Sequence, residues 1–216
     1  MTLLIKNGRV IDPAAKQDMM ADVLVQDGVI VKIMPDIQET ADQQIDAGGC
    51  YVMPGFIDLH VHLRDPGFEH KETVVTGAAA AAHGGYTTIV AMPNTKPVVD
   101  HADVVNYVHN KAKSVTKVNI LQAGAITKKM EGRQLADIEQ MVQAGSPAIS
   151  EDGKSVMNAF LLQEAMKLAK RLDIPVLSHC EDQNLVNGGV VNADENAKKS
   201  ELPGITNSVE NVIIIR

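Results

Sequence analysis

GFIDLHVHLRDPG, residues 55–67, is the stretch that decides the fold, because it reads as a strand that ends at a proline and a glycine. Side chains on a β-strand point alternately to its two faces. One face is therefore predicted to be apolar and to carry Ile57, Leu59, Val61 and Leu63. The opposite face is predicted to be polar and to carry Asp58, His60, His62 and Arg64. Two imidazoles about 6.6 Å apart along a strand can converge on one metal ion.

Beyond this stretch, apolar runs typical of strands alternate with segments of helical composition. The further predicted strands are YTTIVAMPN (86–94), KVNILQAGA (117–125), SPAIS (146–150) and IPVLSHCE (174–181). The predicted helices are ETVVTGAAAAAHG (72–84), HADVVNYVHNKAK (101–113), GRQLADIEQMVQAG (132–145) and VMNAFLLQEAMKLAKRL (156–172). Such alternation predicts an α/β fold whose parallel strands are joined by helical crossovers.

The helix over 158–172 has the clearest helical pattern, with apolar residues on one face and basic residues in its last turn. The residues that recur at helical spacing are Phe160, Leu161, Ala165, Leu168 and Leu172. Five strands fit before Cys180, and the chain ends in a segment predicted as a fifth helix. A closed (β/α)₈ barrel usually takes about 250 residues. The pattern therefore leaves two alternatives, an open parallel sheet or the first part of a barrel.

The first fifty residues have a different sequence pattern, which predicts short β-strands with the turn dipeptides Asn7-Gly8 and Asp27-Gly28. We therefore predict an N-terminal β-module over residues 1–52 and an α/β domain over residues 53–216.

Composition excludes several classes of protein. The net charge of −7 and the lack of a Lys/Arg run argue against nucleic-acid and membrane-surface partners. Two cysteines, Cys50 and Cys180, are too few for a disulfide framework, and the N-terminus has no signal-peptide pattern. No window approaches the roughly 18 apolar residues of a membrane span. A cytoplasmic protein that acts on a small molecule is the expectation.

Two further metal-ligand candidates follow later strands. Asp152 in AISEDGKSV follows the fourth strand and His179 in VLSHCED ends the fifth, so both are predicted on the rim that carries His60 and His62. A carboxylate can bridge two metal ions because each oxygen can serve one ion. From the residues alone, Asp152 also fits a turn and His179 a structural role.

Arg64 and Asn94 are candidates for binding an anionic substrate. A guanidinium can hold a carboxylate through two parallel hydrogen bonds, and Asn94 in AMPNTKP ends the second strand on the same rim. A surface arginine and a turn asparagine are equally open alternatives. Asp58 either orients a ligand from behind or caps the backbone. The remaining histidines, predicted to be solvated or packed, are His70, His83, His101 and His109.

The order and spacing of PGFIDLHVHLRDPG, AMPNT, SEDGKSV and SHCED, after an N-terminal β-module, resemble the amidohydrolase superfamily and most closely the bacterial dihydroorotases of class I type. The resemblance implies a (β/α)₈ TIM barrel of the metal-dependent hydrolase type, here incomplete with about five of its eight strands. It also implies two zinc ions and the reversible interconversion of N-carbamoyl-L-aspartate and L-dihydroorotate in pyrimidine biosynthesis.

The resemblance implies a role for each matching residue. His60 and His62 bind one zinc, His179 binds the other, and Asp152 bridges them. The substrate's carboxylate is held by His62, Arg64 and Asn94. Related hydantoinases and allantoinases use a carboxylated lysine on the fourth strand as the bridge, whereas GSPAIS contains none and Lys154 lies beyond Asp152.

The family also supplies a further histidine ligand and a proton-transfer aspartate, which we expect beyond Arg216. The 216-residue chain alone is therefore expected to be inactive, with exposed apolar barrel edges and a depleted metal site. Alternatives left open are a non-catalytic dihydroorotase-like protein, a partner of aspartate transcarbamoylase, and a hydantoinase or allantoinase. A homodimer is also left open.

Overall fold

The computed structural model describes residues 1–215, which divide into two compact units, Met1–Gly55 and the remainder from Phe56 onward. Within residues 1–215, every helix is too short or too polar to span a bilayer.

The first unit is a single mixed β-sheet. Its strands are β1 (Thr2–Asp12), β2 (Gln17–Gln26), β3 (Val29–Met34), β4 (Gln43–Asp46) and β5 (Tyr51–Val52). The strand order is β3-β2-β1-β4, with β5 also on β1; β4 and β5 run parallel to β1 and the other pairs are antiparallel. The predicted turn at Asp27-Gly28 is confirmed between β2 and β3, where both residues have positive φ.

The turn predicted at Asn7-Gly8 is wrong, because both residues lie inside the continuous strand β1. The register of β1 against β2 shifts between Ile5 and Gly8, and Asn7 has a φ of 63°, so the pair forms a bulge. A Cβ on Gly8 would lie 2.4 Å from Cγ2 of Val52. The dipeptide therefore allows β1 to pack closely against Val52 and does not reverse the chain.

Asp22 fixes the backbone at this bulge. Its buried carboxylate accepts hydrogen bonds from the N–H groups of Asn7 (2.8 Å) and Ile37 (2.9 Å), and Nζ of Lys6 lies 3.6 Å from Oδ2. Burial raises the pKa of Asp22, but these donors and the Lys6 ammonium outweigh it and hold the pKa below its usual range. The charged form of Asp22 thus stabilises the fold.

The second unit is built on parallel strands, as predicted. They are β6 (Phe56–Val61), β7 (Tyr86–Ala91), β8 (Asn119–Gln122), β9 (Gly124–Ala125), β10 (Ile149–Ser150) and β11 (Val176–Leu177). They form two three-stranded sheets, β6-β7-β8 and β9-β10-β11. Ala123 donates to the carbonyl of Ala91 and Gly124 to that of Ala148, so the third predicted strand passes from one sheet into the next.

Four helices connect these strands. They are α1 (Val74–His83), α2 (Ala102–Val115), α3 (Ile138–Gln143) and α4 (Ala159–Arg171). Thr73 caps α1 through a capping box with Thr76, and Asn158 caps α4 by accepting from the N–H of Leu161. In α4, Phe160 is 71% exposed, although it fits the helical spacing of the apolar residues.

Helix α3 is shorter than the predicted 132–145 because the residues before it form other structure. Lys128–Met130 is a single 3₁₀ turn, and Thr127 forms an isolated antiparallel bridge with Leu135. These contacts use backbone groups that a longer α3 would need.

The chain after β11 contains α5 (Gln183–Val186), β12 (Val191–Asn192), α6 (Glu195–Lys199), β13 (Gly204–Ile205) and α7 (Ser208–Ile215). Helix α7 matches the predicted fifth helix. Strands β12 and β13 form a small parallel pair that the sequence pattern did not predict.

The main core of the second unit lies between the helices and the sheets. Its most deeply buried members include Val99, Val105, Ile138, Met141 and Ile149, each at most 1% exposed. Strand β6 is an edge strand, because its only partner within residues 1–215 is β7. Apolar side chains on it remain exposed, among them Phe56 and Leu59.

Candidate metal centre

Strand β6 carries His60 near its end, and His62 follows the strand. From Asp58 to Val61, β6 advances three residues for two on β7, so β6 contains a bulge around His60. Strict alternation of faces is therefore interrupted at this point, and Ile57 and Leu59 are exposed.

Asp58 holds the backbone of this bulge. Its Oδ1 accepts a hydrogen bond from the backbone N–H of His60 at 3.0 Å. Of the two roles predicted for Asp58, the structure shows the backbone contact. The rings of His60 and His62 lie 5.3 Å apart, centroid to centroid, and nearly perpendicular to one another. The two imidazoles thus lie side by side, as predicted.

Asp152, the second residue after β10, is the centre of the cluster and is only 5% exposed. Its Oδ1 lies 3.1 Å from Nε2 of His60 and 3.7 Å from Nδ1 of His179, and its Oδ2 lies 3.5 Å from Nε2 of His62. Ligand atoms of His60, His62 and Asp152 all lie within 4.8 Å of one another. His179 contacts Asp152 but stands outside that compact group of three.

Asn94, just after β7, links two of these residues. Its Nδ2 donates to Oδ2 of Asp152 at 2.7 Å, so its Oδ1 is left to accept from Nδ1 of His62 at 3.1 Å. The proton of His62 therefore sits on Nδ1, and the Nε2 lone pair faces Asp152. Sequence reasoning placed Asn94 on this rim but missed its contact with the ligands.

His62 is held in the form that binds metals. Burial lowers the pKa of His62, and the nearby positive charge of Arg64 lowers it further. The neutral imidazole is consequently favoured at neutral pH, and only the neutral form offers a lone pair to a metal.

His179, after β11, has a matching arrangement. Its Nε2 pairs with Oε2 of Glu181 at 2.8 Å, and its backbone carbonyl accepts from the hydroxyl of Ser155. With the proton on Nε2, the lone pair of Nδ1 faces Oδ1 of Asp152. Glu181 was not identified from the sequence, although its place two residues after His179 in SHCED was the available signal.

Arg64 follows His62 on the loop after β6 and has a left-handed backbone with a φ of 59°. Its half-buried guanidinium makes no hydrogen bond or ion pair with any residue among 1–215. A cation without a partner beside the cluster is suited to hold an anion.

Glu151 supports the loop that carries Asp152 and was not identified from the sequence. Its buried carboxylate accepts from the N–H groups of Ile126 (3.1 Å) and Thr127 (3.0 Å) and from the Thr127 hydroxyl. Burial raises the pKa of Glu151 in spite of these donors. Glu151 thus anchors the loop, whereas its neighbour Asp152 faces the imidazoles.

The other four histidines lie outside the cluster. His70 and His83 are exposed, His101 pairs with Asp100 at 2.7 Å, and Nε2 of the half-buried His109 accepts from the N–H of Gln122.

The donor set fits a divalent metal ion. In the tautomers set by Asn94 and Glu181, lone pairs of His62 and His179 face carboxylate oxygens at 3.5 Å and 3.7 Å, beyond the length of a normal hydrogen bond. Such facing acceptors repel each other unless a cation lies between them. Imidazole nitrogens with a carboxylate are the ligands that zinc and similar metals prefer.

Parallel strands thus gather imidazoles and a carboxylate at their carboxyl ends, the position of the active sites in α/β barrel proteins. A sequence profile described as Dihydro-orotase-like matches residues 49–216. The chain therefore belongs to the dihydroorotase-like family.

Curated relatives agree with this family. The dihydroorotase of Solibacter usitatus is 48% identical over 216 residues, which are 100% of this chain and 50% of that protein. The dihydroorotase of Clostridioides difficile is 45% identical over 215 residues, 99% of this chain and 51% of that protein. The chain thus spans about half the length of the curated relatives it matches.

Solved structures with a similar fold include hydantoinases. The L-hydantoinase of Arthrobacter aurescens has a TM-score of 0.74 and 27% identity, over 86% of this chain and 42% of that one. The D-hydantoinase of a Thermus species has a TM-score of 0.62 and 30% identity, over 86% of this chain and 41% of that one.

Proposed function

We propose that this chain supplies half of a dihydroorotase that interconverts N-carbamoyl-L-aspartate and L-dihydroorotate in the cytoplasm. The second unit, with the domain boundary near residue 53, corresponds to about five strands of a (β/α)₈ barrel. Support comes from the family match, from identity of 43–48% to dihydroorotases along the whole chain, and from the parallel strands.

The observation that carries the proposal is the Asp152 carboxylate placed among three imidazoles, two of which present lone pairs to it. His60 and His62 would hold one zinc ion and His179 a second, with one oxygen of Asp152 available to each. Asn94 keeps His62 in its metal-binding tautomer and orients Asp152.

Bound zinc supplies Lewis acidity, which polarises an amide carbonyl and makes water more acidic. The chain's own residues hold the substrate. Arg64 would bind its carboxylate, because the guanidinium has no hydrogen-bond or ion-pair partner among residues 1–215 and its positive charge acts on His62. Fixing that carboxylate on the loop after β6 would orient the ring amide toward the imidazole cluster on the same rim.

A hydantoinase is the second candidate, because the structural neighbours carry that name. Dihydroorotase is favoured because β10 (Ile149–Ser150) contains no lysine that could bridge two metals. Lys154 does not take that place, since its Nζ donates to the carbonyl of Met130 at 3.1 Å.

Metal analysis of protein with verified mass tests the site. We expect zinc to be retained, to be lost in His60→Ala and Asp152→Ala, and to be retained in the control His83→Ala, which alters an exposed histidine outside the cluster. Equal zinc content in all four proteins would contradict the proposed ligands.

Turnover of L-dihydroorotate, hydantoin and allantoin, compared in the protein as its gene encodes it, tests the substrate. Preference for dihydroorotate is expected; turnover of hydantoin alone, or none in zinc-loaded protein, would overturn the proposal. Light scattering with and without added aspartate transcarbamoylase tests the two associations left open by the sequence, a homodimer and a complex with that enzyme.

A further inference from the structure

The residue after Arg64 is a carboxylate sealed from solvent. The Asp65 side chain is 0% exposed, and its Oδ2 lies 2.7 Å from Nζ of Lys111. Its Oδ1 accepts from the hydroxyl of Tyr107 at 3.0 Å, and its Oδ2 accepts from the backbone N–H of Val74 at 3.3 Å. Removing a charge from water is costly unless several donors compensate it, and Asp65 has three.

These donors come from two helices. Tyr107 and Lys111 stand one turn apart on α2, and Lys111 also donates to the Tyr107 hydroxyl at 3.1 Å. Val74 is the first residue of α1. The Asp65 carboxylate raises the pKa of Lys111, which favours the charged ammonium. The loop after β6 is thereby attached to the helical layer at the position next to Arg64.

The same loop is also attached to the loop after β7. The backbone N–H of Lys96 donates to the carbonyl of Pro66 at 2.9 Å. Gly67 packs so closely that a Cβ on it would lie 2.0 Å from the carbonyl oxygen of Lys96. Since the loop after β7 also carries Asn94, both candidate anion-binding residues lie on a jointly fixed pair of loops.

Arg64 itself is strained. A non-glycine residue in the left-handed region is strained and persists where its surroundings determine it. Here the anchors on Asp65 and Pro66 immediately follow Arg64, whereas its guanidinium has no partner among residues 1–215. The backbone at Arg64 is thus fixed by its neighbours, and its side chain is not.

We propose that Asp65, Tyr107 and Lys111 form a positioning cluster that fixes Arg64 for recognition of the substrate's carboxylate. This inference rests on the proposed function. The cluster touches no reacting atom; it acts by holding the backbone from which Arg64 extends. Disrupting the cluster should weaken the binding of cyclic amides that carry a carboxylate and leave the binding of cyclic amides without one unchanged.

The test uses Tyr107→Phe and Lys111→Met in the protein as its gene encodes it, with Lys113→Met as the control on an exposed position of the same helix. Lys111→Arg, which keeps the charge, is the conservative variant. For dihydroorotate we expect KM to rise roughly tenfold in Lys111→Met with kcat and zinc content nearly unchanged. Lys111→Arg should recover most of the loss, and Lys113→Met should match the unmodified protein.

Calorimetric binding of orotate and uracil separates this inference from the proposed function. These rings differ by one carboxylate, and Lys111→Met should weaken orotate binding roughly tenfold and leave uracil binding unchanged. Equal weakening for both rings, loss of zinc, or unchanged orotate binding would overturn the positioning role. Orotate binding without turnover of dihydroorotate would overturn only the proposed function, and absence of orotate binding in the unmodified protein would overturn both.

Discussion

Replacing Asn94 with alanine removes two hydrogen bonds from the imidazole cluster at once. One is the 2.7 Å bond to Oδ2 of Asp152, and the other is the 3.1 Å contact that keeps the proton of His62 on Nδ1. Without the second, His62 is free to place its proton on Nε2, where it would point at the carboxylate and block a metal. The substitution leaves every ligand in the chain.

The magnitude follows from the chemistry of these contacts. A hydrogen bond to a charged group contributes about 1.5–3 kcal/mol. Loss of an outer partner of a metal ligand typically lowers metal affinity about 10–100-fold, which corresponds to about 1.4–2.8 kcal/mol. The two ranges agree, so we expect Asn94→Ala to weaken zinc binding by that factor.

Competition with a fluorescent zinc chelator measures this affinity in the unmodified protein and in two variants. Asn119→Ala, at an exposed position of β8, is the matched control and should bind zinc like the unmodified protein. If Asn94→Ala keeps its zinc affinity within about twofold and instead raises only the KM for dihydroorotate, Asn94 contacts substrate and does not orient the ligands.

Three further predictions concern stability. Met141→Ala, at a fully buried position, should lower the free energy of unfolding in urea by about 2–5 kcal/mol, whereas exposed Met166→Ala should change it by less than about 0.5 kcal/mol; equal effects would contradict the assigned core. Gly8→Ala should cost about 1–3 kcal/mol by contact with Val52, and adding Val52→Ala should recover part of the melting temperature if that contact is the cause. The pKa of Asp22 is lower in the folded than in the unfolded protein, so its contribution to stability is present above the unfolded pKa near 4 and disappears as pH falls through the folded pKa. Asp22→Asn should therefore lose less stability than the unmodified protein between pH 7 and pH 3, and an equal loss would refute this.

The sequence was sufficient for those features that depend on local pattern. Alternation of apolar runs and helical segments predicted the parallel strands, and the strand ends predicted which rim carries His60, Asp152 and His179. That inference works because carboxyl ends of parallel strands meet at one edge whatever the register of the sheet.

Features that depend on register or on distant contacts were not predictable. Asn94 meets Asp152 only because the loops after β7 and β10 have particular lengths and conformations. Asn7-Gly8 has the composition of a hairpin turn, yet the approach of Val52 makes it a bulge. Phe160 fits the helical period of α4 but lies outside the arc that packs on the sheet.

The spread of the imidazole cluster over two sheets has a consequence for stability. Strand β6 carries His60 and leads into His62, while Asp152 and His179 follow β10 and β11 of the other three-stranded sheet. A metal ion bound by these side chains would link the two sheets. Metal binding and the stability of this region are then coupled. Loss of the metal should first destabilise the strand ends that carry its ligands.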